Sequence, residues 1–211
     1  MYWCLPAVSG DSEHQVSIAL VRLLRRLDGS LWHNTLVDPI LRGALLIDWA
    51  LSGRLVEQDT TIEVDTTPTG YPAADALLAR IAAKPERPLT DWLLQKHPTQ
   101  AEWVETLVAN GALVRTHRRR YLDSRGHELL PLWTRLRDVQ EGSQQEEPPV
   151  VALAVCAQLL GVLSWPASAS HDDVVAQAGE LSRILTVIND FGAGRLKDMA
   201  WFRYGSATPA G

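Results

Sequence analysis

The chain has 211 residues, of which 46% are hydrophobic and 21% charged, as in a globular domain with a sizeable core. Its formal net charge of -5 excludes binding of nucleic acid or membranes through overall positive charge, so a basic site must be local. Cys4 and Cys156 form neither a metal-binding pattern nor a disulfide framework, which favours a reducing cytosol.

No stretch of the sequence has the pattern of a signal peptide or of a membrane span. The first residues lack a basic segment followed by an apolar one. The longest apolar run, residues 150–165, is interrupted by Gln158 and Gly161 and is shorter than the ~20 residues that a span needs, so we expect a buried helix. We predict a flexible tail at residues 1–12, a single domain at residues 13–203 and a frayed tail at residues 204–211.

Two helices are predicted in the first quarter of the chain. The first, at residues 16–27, is amphipathic, with its leucines on one side. The arginines expected to face away from these leucines are Arg22, Arg25 and Arg26. The second, at residues 38–55, is apolar over most of its surface and is expected to form the buried centre of the domain. Asp38 is expected to cap it, and Gly53 to end it in a left-handed conformation.

The rest of the chain predicts further helices and two small β-hairpins. Turn residues and β-branched stretches predict hairpins at residues 55–64 and 113–130, the second with its turn at residues 123–126. The further helices are expected at residues 75–84, 90–96, 98–110, 150–163 and 172–187. The sequence therefore predicts a mainly α protein, a single compact helical domain with one or two small β-hairpins.

No catalytic or metal-binding constellation is recognisable in the sequence. The glycine-rich nucleotide-binding motifs, the zinc motifs and the serine-nucleophile motif are absent, and the six histidines lack metal-ligand spacing. Asp48, inside the central helix, is expected to be paired or partly exposed rather than a general base. We therefore expect no enzymatic activity, no cofactor and no metal site, which leaves binding as the expected class of function.

Trp32 and Arg42 each allow two interpretations. A Trp before a buried helix often covers the core, and an Arg in such a helix often extends to solvent or pairs with an acid. An Arg near a helix N-terminus can instead hold a phosphate through its planar guanidinium group. The pattern alone favours the first interpretation and leaves the second open.

Arginines are concentrated in the second predicted hairpin. The run Arg118, Arg119 and Arg120 gathers positive charge at one point of an acidic protein. Near anionic lipid, each such cation contributes roughly 1 kcal/mol to membrane binding. Arg115 and Arg125 belong to the same predicted hairpin, so the segment is a candidate membrane surface.

The order of a short helix, a second helix and a basic hairpin also matches a winged helix-turn-helix domain, which is the alternative function. The second helix of such a domain enters the major groove, but residues 101–105 carry two acids and no Lys or Arg. A third interpretation is a protein adaptor that binds through surface tryptophans such as Trp133 or Trp201.

Four stretches carry a family resemblance. They are LRGALLIDWALSGRL at residues 41–55, TPTGYPAADALLARI at residues 67–81, WVETLVANGALV at residues 103–114 and VVALAVCAQLLGVL at residues 150–163. In their order and spacing, these stretches resemble the Golgi phosphoprotein 3-like family. The resemblance is to a bacterial, actinobacterial-type member of that family. The resemblance covers about residues 16–188.

The resemblance implies a mainly α-helical peripheral membrane protein. Eukaryotic members of the family bind phosphatidylinositol 4-phosphate in a basic pocket and insert a hydrophobic hairpin into the membrane. In this sequence the pocket positions correspond to Trp32, Arg42, His97 and Gln100, and the family has arginine at the last two. His97 can contribute when protonated, and Gln100 as a neutral donor.

The hairpin also differs from the eukaryotic pattern, because arginines stand where an apolar tip is found in the family. This implies electrostatic attachment to acidic lipids rather than deep insertion. We therefore expect binding to anionic phospholipid headgroups on the cytoplasmic face of a membrane. A protein cargo and a homo-oligomer are left open as further partners, and nucleic acid is not the expected one.

Overall fold

The computed structural model of the chain describes residues 15–58, 61–143, 145–164 and 171–204. Within these ranges the chain forms nine α-helices and two antiparallel hairpins, which confirms the predicted mainly α domain. The helices are α1 (Gln15–Leu23), α2 (Val37–Leu51), α3 (Pro72–Ala82), α4 (Leu89–Leu93), α5 (Gln100–Ala109), α6 (Leu129–Glu141), α7 (Pro148–Leu159), α8 (His171–Gln177) and α9 (Ser182–Tyr204). The strands are β1 (Leu55–Gln58), β2 (Thr61–Val64), β3 (Leu113–His117) and β4 (Arg120–Asp123). Among the described residues, no helix has both the length and the apolar character needed to cross a bilayer.

Helix α2 is the buried centre of the domain, as its apolar pattern predicts. It packs against α1, α4, α7 and α9, and the residues Leu41, Leu45 and Trp49 are completely buried. Because each large apolar side chain contributes roughly 1.5–3 kcal/mol when buried, α2 supplies much of the stability of the core. Gly53 follows the helix with φ +72, the left-handed conformation expected at its end.

Two carboxylates of α2 cap other helices. Asp38 was predicted to cap α2, but it lies inside the first turn, and its Oδ1 accepts the Gln100 backbone N–H of α5 at 2.7 Å. Asp48 accepts hydrogen bonds from the backbone of Val16 and from both the backbone and the hydroxyl of Ser17. Because the first N–H groups of a helix have no partner within it, these carboxylates join α2 to α5 and to α1.

Helix α1 ends earlier than its amphipathic pattern predicts. Arg22 was predicted to face away from the core, but it is buried and pairs with Asp123 at the end of β4. Leu27, predicted to continue the apolar side, is fully exposed because the chain has already turned, with Gly29 at φ +80. The amphipathic pattern failed here because residues 16–24 are all buried, and the charge of Arg22 is compensated by a residue 101 positions away.

The first hairpin, formed by β1 and β2, agrees with the prediction. Leu55 pairs with Val64 and Gln58 with Thr61, and the residues 59–60 that join the strands lie outside the described residues. Helix α3 then turns its apolar side to the core, as its spacing predicts, through Leu77, Leu78 and Ile81.

The connection between α4 and α5 is partly as predicted. Helix α4 begins at Leu89, directly after Pro88, and ends at Leu93, three residues before the end of the helix predicted at residues 90–96. Helix α5 begins two residues later than predicted, after Thr99, which forms a capping box with Glu102 in which each side chain bonds the other's backbone N–H.

The second hairpin turns earlier than predicted. His117 pairs with Arg120, so the turn is formed by Arg118 and Arg119 instead of residues 123–126. The predicted return strand is instead a short 3₁₀ turn at Gly126–Glu128 followed by α6, a helix that the sequence analysis missed. The sequence did carry a signal for α6, because Leu132, Leu136 and Val139 recur at helical spacing. All three are buried in the structure.

The last part of the chain contains three helices. Helix α7 is completely buried along most of its length, as predicted. The single helix predicted at residues 172–187 is two helices, because Gly179 has φ +58 and ends the first, and α9 continues to Tyr204. Residues 1–12 of the predicted N-terminal tail and residues 205–211 lie outside the described residues.

Candidate functional site

Arg42 lies one turn inside α2 and is only 4% exposed. Its Nε donates to the Leu93 carbonyl at 2.9 Å, and its Nη1 donates to the Pro98 carbonyl at 3.0 Å. Arg42 therefore neither extends into solvent nor forms an ion pair within the described part of the chain. Burial lowers the pKa of its guanidinium group, an effect that the charge of Asp38 opposes.

Trp32 and Gln100 meet where α5 begins. Gln100 is buried, and its Nε2 donates to the Trp32 carbonyl at 3.0 Å. The Trp32 ring packs partly buried against the core, and the Arg26 guanidinium carbon lies 4.6 Å from the ring centroid. Trp32 therefore covers the core and also holds a cation at the surface through a cation–π contact.

His97 is the exposed member of the predicted pocket, with 57% of its side chain accessible. Its Nδ1 lies 3.0 Å from a carboxylate oxygen of Glu102. Burial raises the pKa of Glu102, but hydrogen bonds from Thr99 and His97 outweigh it and hold that pKa below its ordinary value. An anion bound by His97 would therefore have to compete with an ionised carboxylate.

The four predicted pocket residues come together at the N-terminus of α5, and two carboxylates lie among them. Asp38 accepts the Gln100 N–H, and Glu102 accepts the Thr99 N–H at 2.7 Å. A helix N-terminus attracts anions through these N–H groups. At α5 the protein's own side chains already occupy that place, so positive charge for an external anion must come from elsewhere.

Two cations near Arg42 were missed by the sequence analysis. Lys96 and Arg195 line a surface depression beside Arg42. A local signal existed for Lys96, which immediately precedes His97. No sequence signal indicated Arg195, because only the packing of α9 brings it to α2.

The tip of the second hairpin carries the largest local concentration of cations seen in the sequence. Arg118, Arg119 and Arg120 are all exposed and form no ion pair within the described part of the chain. Hydrogen bonds from Ser30, followed by the charges of Arg120 and Arg26, lower the pKa of Asp28. Asp28 thus compensates part of the charge of Arg120, whereas Arg118 and Arg119 extend from the turn itself.

Arg119 has φ +55, and it is the described non-glycine residue with a left-handed backbone. Such a conformation costs a residue with a side chain about 1 kcal/mol, and turns that require it favour glycine or asparagine. The turn is therefore less stable with arginine at position 119 than it would be with glycine. This is expected where the side chain has a function outside the fold.

The outer face of the hairpin is both apolar and basic. Val114 and Leu122 are cross-strand partners and are 49% and 55% exposed. Arg120 lies two residues before Leu122, so its side chain is on the same face of β4. The face therefore presents a pair of aliphatic side chains beside a cluster of cations.

Two of the five predicted hairpin arginines do not belong to this cationic tip. Arg115 forms an ion pair with Glu105 and lies over the Tyr121 ring, so its charge is compensated. Arg125 lies after β4, at the base of the hairpin, where its carbonyl accepts a hydrogen bond from Arg22. Arg125 was predicted to lie in the hairpin turn because that turn was expected at residues 123–126, whereas in the structure Arg118 and Arg119 form the turn.

The base of the hairpin is fixed to the core. The Arg22 guanidinium group bonds both carboxylate oxygens of Asp123, at 2.9 and 3.1 Å. The Tyr121 backbone N–H donates to the Gly29 carbonyl at 2.8 Å, which joins β4 to the loop after α1. The hairpin is thus joined at its base to α1 and to the loop that follows α1.

Helix α5 does not have the surface of a DNA-reading helix. Trp103, Val104 and Leu107 face the core, and the more accessible side carries Glu102 and Glu105. Because a major-groove helix approaches phosphates, two carboxylates there oppose binding. The surface-tryptophan interpretation is also weakened, because Trp133 packs partly against the core; Trp201 lies among residues whose side chains are not described.

Comparison with models of protein families gives a match. The family model of Golgi phosphoprotein 3 (GPP34) matches residues 23–199, a range that contains the four predicted pocket residues and the hairpin arginines. A comparison with curated proteins finds no match.

Proposed function

The chain belongs to the Golgi phosphoprotein 3 family, and on this basis we propose that it is a peripheral membrane protein that binds anionic phospholipid headgroups. The lipids of this proposal include phosphoinositides of the phosphatidylinositol 4-phosphate type. The protein would bind the cytoplasmic face of a membrane and act as an adaptor without enzymatic activity or a cofactor. A protein cargo and self-association belong to the same proposal.

The hairpin tip is the observation that carries the proposal. Arg118, Arg119 and Arg120 concentrate positive charge in a protein whose formal net charge is -5. The exposed pair Val114 and Leu122 lies beside them and supplies apolar contact at the level of the headgroups. A basic and aliphatic surface whose base is joined to α1 fits shallow electrostatic attachment better than deep insertion.

The four pocket residues supply the headgroup-specific part of the proposal. Arg42 provides a permanent charge, Trp32 a partly buried ring, and His97 and Gln100 add weaker donors. Because Asp38 and Glu102 lie among them, we expect this pocket to add selectivity while the hairpin supplies most of the affinity.

Vesicle cosedimentation tests the proposal directly. Vesicles of neutral phosphatidylcholine are compared with vesicles that also contain anionic phosphatidylglycerol or phosphatidylinositol 4-phosphate. We expect binding only to the anionic vesicles, and a steep loss as salt rises from 0.1 to 1 M because the screening length falls from about 10 to about 3 Å. Equal binding to neutral vesicles would contradict the proposal.

The decisive variant replaces Arg118, Arg119 and Arg120 with Ala. At roughly 1 kcal/mol per cation, we expect binding to anionic vesicles to weaken about a hundredfold. The matched control replaces three exposed cations of other helices or loops, Lys84, Arg137 and Lys197, with Ala. A similar loss in the control would mean that overall charge, rather than the hairpin, determines binding.

A further inference from the structure

Leu27 is the most exposed large aliphatic side chain in the described part of the chain. Its exposed fraction is 103%, as in an extended peptide, and that of the next one, Leu130, is 73%. Single exposed apolar side chains are ordinary on protein surfaces and need no function. Leu27 requires more attention because hydrogen bonds hold it at the corner of a turn, and because this turn lies beside the basic hairpin.

The turn between Arg26 and Ser30 is closed by its own hydrogen bonds. The Gly29 N–H donates to the Arg26 carbonyl at 2.9 Å, and the Arg26 N–H donates to the Ser30 carbonyl at 2.8 Å. The Asp28 carboxylate accepts from the backbone N–H and the hydroxyl of Ser30, at 3.0 and 2.7 Å. Leu27 is the second residue of the four that form this β-turn, so it lies at the corner, where its side chain is accessible to solvent on all sides.

This turn lies directly against the tip of the second hairpin. The Tyr121 N–H donates to the Gly29 carbonyl at 2.8 Å. A Cβ placed on Gly29 would lie 3.0 Å from the Tyr121 carbonyl oxygen and 3.7 Å from the Arg120 Cβ, so the two backbones are in contact. Because Arg120 is the first residue of β4, directly after the turn of the hairpin, Leu27 and the basic tip are neighbours on the surface.

The charges close to Leu27 are mainly positive. Arg26 precedes it in the chain, and the Arg26 guanidinium carbon lies 4.6 Å from the centroid of the Trp32 ring. Asp28, which follows Leu27, is the carboxylate of the turn, and it lies within the field of Arg120 and Arg26. The corner therefore presents an aliphatic side chain surrounded by cations, which is the composition of surfaces that bind the interface of an anionic membrane.

We propose that Leu27 inserts into the boundary between the headgroups and the acyl chains of an anionic bilayer, as a second membrane contact beside the hairpin. The inference rests on the proposed function, which supplies the membrane. A protein partner fits this surface less well, because a standard protein interface buries roughly 800 Å² of each partner, and Leu27 is a single side chain on a narrow turn. A bilayer accepts single side chains, since each one gains its own free energy of transfer from water.

The first test replaces Leu27 with serine. Because the side chain is fully exposed, we expect the urea midpoint to be unchanged. Binding to vesicles of phosphatidylcholine and phosphatidylglycerol should weaken about tenfold. That ratio should stay the same as salt is raised, because salt screens charges and not apolar contacts. Leu27→Met keeps an apolar side chain of similar size and should bind like the wild type.

The matched control is Leu51→Ser, at the last residue of α2. Leu51 is 41% exposed and lies one turn after Asp48, which binds the first residues of α1. The hairpin is joined to the opposite end of α1 through Arg22. Leu51 is therefore remote from the proposed membrane contact, and its replacement should leave vesicle binding unchanged.

A fluorescent label measures insertion directly. In a Cys4→Ser background, Leu27→Cys and Leu51→Cys are each labelled with nitrobenzoxadiazole, a dye that brightens when it leaves water; Cys156 is completely buried. On addition of the anionic vesicles, we expect the dye at position 27 to brighten and to be quenched by lipids that carry a spin label close to the headgroup. The dye at position 51 should not respond.

The outcomes separate this inference from the proposed function. If the protein binds the anionic vesicles but Leu27→Ser binds equally well and the dye at position 27 stays in water, the inference is wrong and the proposed function stands. A similar loss in Leu27→Ser and Leu51→Ser would also overturn the inference. If the wild type binds no anionic vesicles, the inference and the proposed function are both wrong, and Leu27 then contacts a protein or nothing.

Discussion

The Arg22 guanidinium group and the Asp123 carboxylate form a buried, two-pronged ion pair that joins helix α1 to the hairpin. The distances are 2.9 Å from Nε and 3.1 Å from Nη2 to the two oxygens, and the Asp123 side chain is completely buried. Arg22 also reaches the Arg125 carbonyl and, at 3.4 Å, Glu128. The pair therefore fixes where β4 ends and how the basic tip is presented.

Removing one partner of this pair should be far more damaging than removing both. Arg22→Met leaves the Asp123 carboxylate buried without its cation, and we expect the free energy of unfolding to fall by about 3–5 kcal/mol. Urea denaturation of Arg22→Met, Asp123→Asn and the double variant measures the coupling. If the two single losses simply add in the double variant, the pair does not act as a unit.

Asp48 should make stability depend on pH. Burial raises its pKa to about 7, and the hydrogen bonds from Ser17 and Val16 only partly oppose this. Between pH ~4 and ~7 the folded protein keeps a proton that the unfolded chain has lost. Unfolding then releases a proton, so this group makes stability fall as pH rises through the window, by at most ~1.4 kcal/mol per pH unit, and stay level above it.

The measurement compares urea midpoints of the wild type and Asp48→Asn from pH 4 to pH 8. The amide that this substitution introduces does not titrate, so the difference between the two proteins isolates Asp48 from all other titrating side chains. We expect that difference to change steadily up to about pH 7 and then to become constant. A constant difference over the whole range would mean that three donors keep Asp48 ionised in the folded protein as well.

The parts of the fold that the sequence predicted are those determined locally. The apolar spacing of α2 and the buried run of α7 each depend on residues within a few turns. Helix α6 had a local signal that was overlooked, since the turn chemistry of residues 123–126 was given more weight than the spacing that follows it.

The parts that the sequence mispredicted are those determined by distant contacts. The position of the second hairpin depends on Arg22 with Asp123 and on Gly29 with Tyr121. Asp38 had the pattern of a cap for its own helix but caps α5, 62 positions away. Arg42 was a candidate anion ligand from its position in its own helix. The position of Arg195 beside it could not be predicted, because it depends on the packing of α9 against α2.

Cys156 should be unreactive until the protein unfolds. Burial, followed by the nearby charge of Asp48, raises the pKa of its thiol to about 12, and the residue is completely buried in α7. Because the thiolate is the reactive form, a thiol reagent at pH 8 has almost none to attack. In a Cys4→Ser background, which leaves Cys156 as the one thiol of the chain, we expect reagent to react at the rate of unfolding. Rapid labelling under native conditions would contradict the buried position.

Arg119→Gly should separate the stability of the hairpin from its charge. Glycine adopts the left-handed backbone conformation of position 119 without the steric strain that a side chain causes. We therefore expect the free energy of unfolding to stay level or to rise by about 0.5–1 kcal/mol. The same change removes one cation from the tip, so binding to anionic vesicles should weaken about fivefold.

Arg118→Gly is the matched control for that change. It removes the same charge from the neighbouring position, where the backbone is not left-handed, so glycine should lower the free energy of unfolding by about 0.5–1 kcal/mol. Urea denaturation and vesicle cosedimentation are measured on both variants. If the charge of the tip binds the membrane, both variants lose affinity to a similar extent although their stabilities change in opposite directions. If affinity instead follows stability, and Arg119→Gly binds at least as well as the wild type, the hairpin acts through its fold and its arginines are not the lipid contacts.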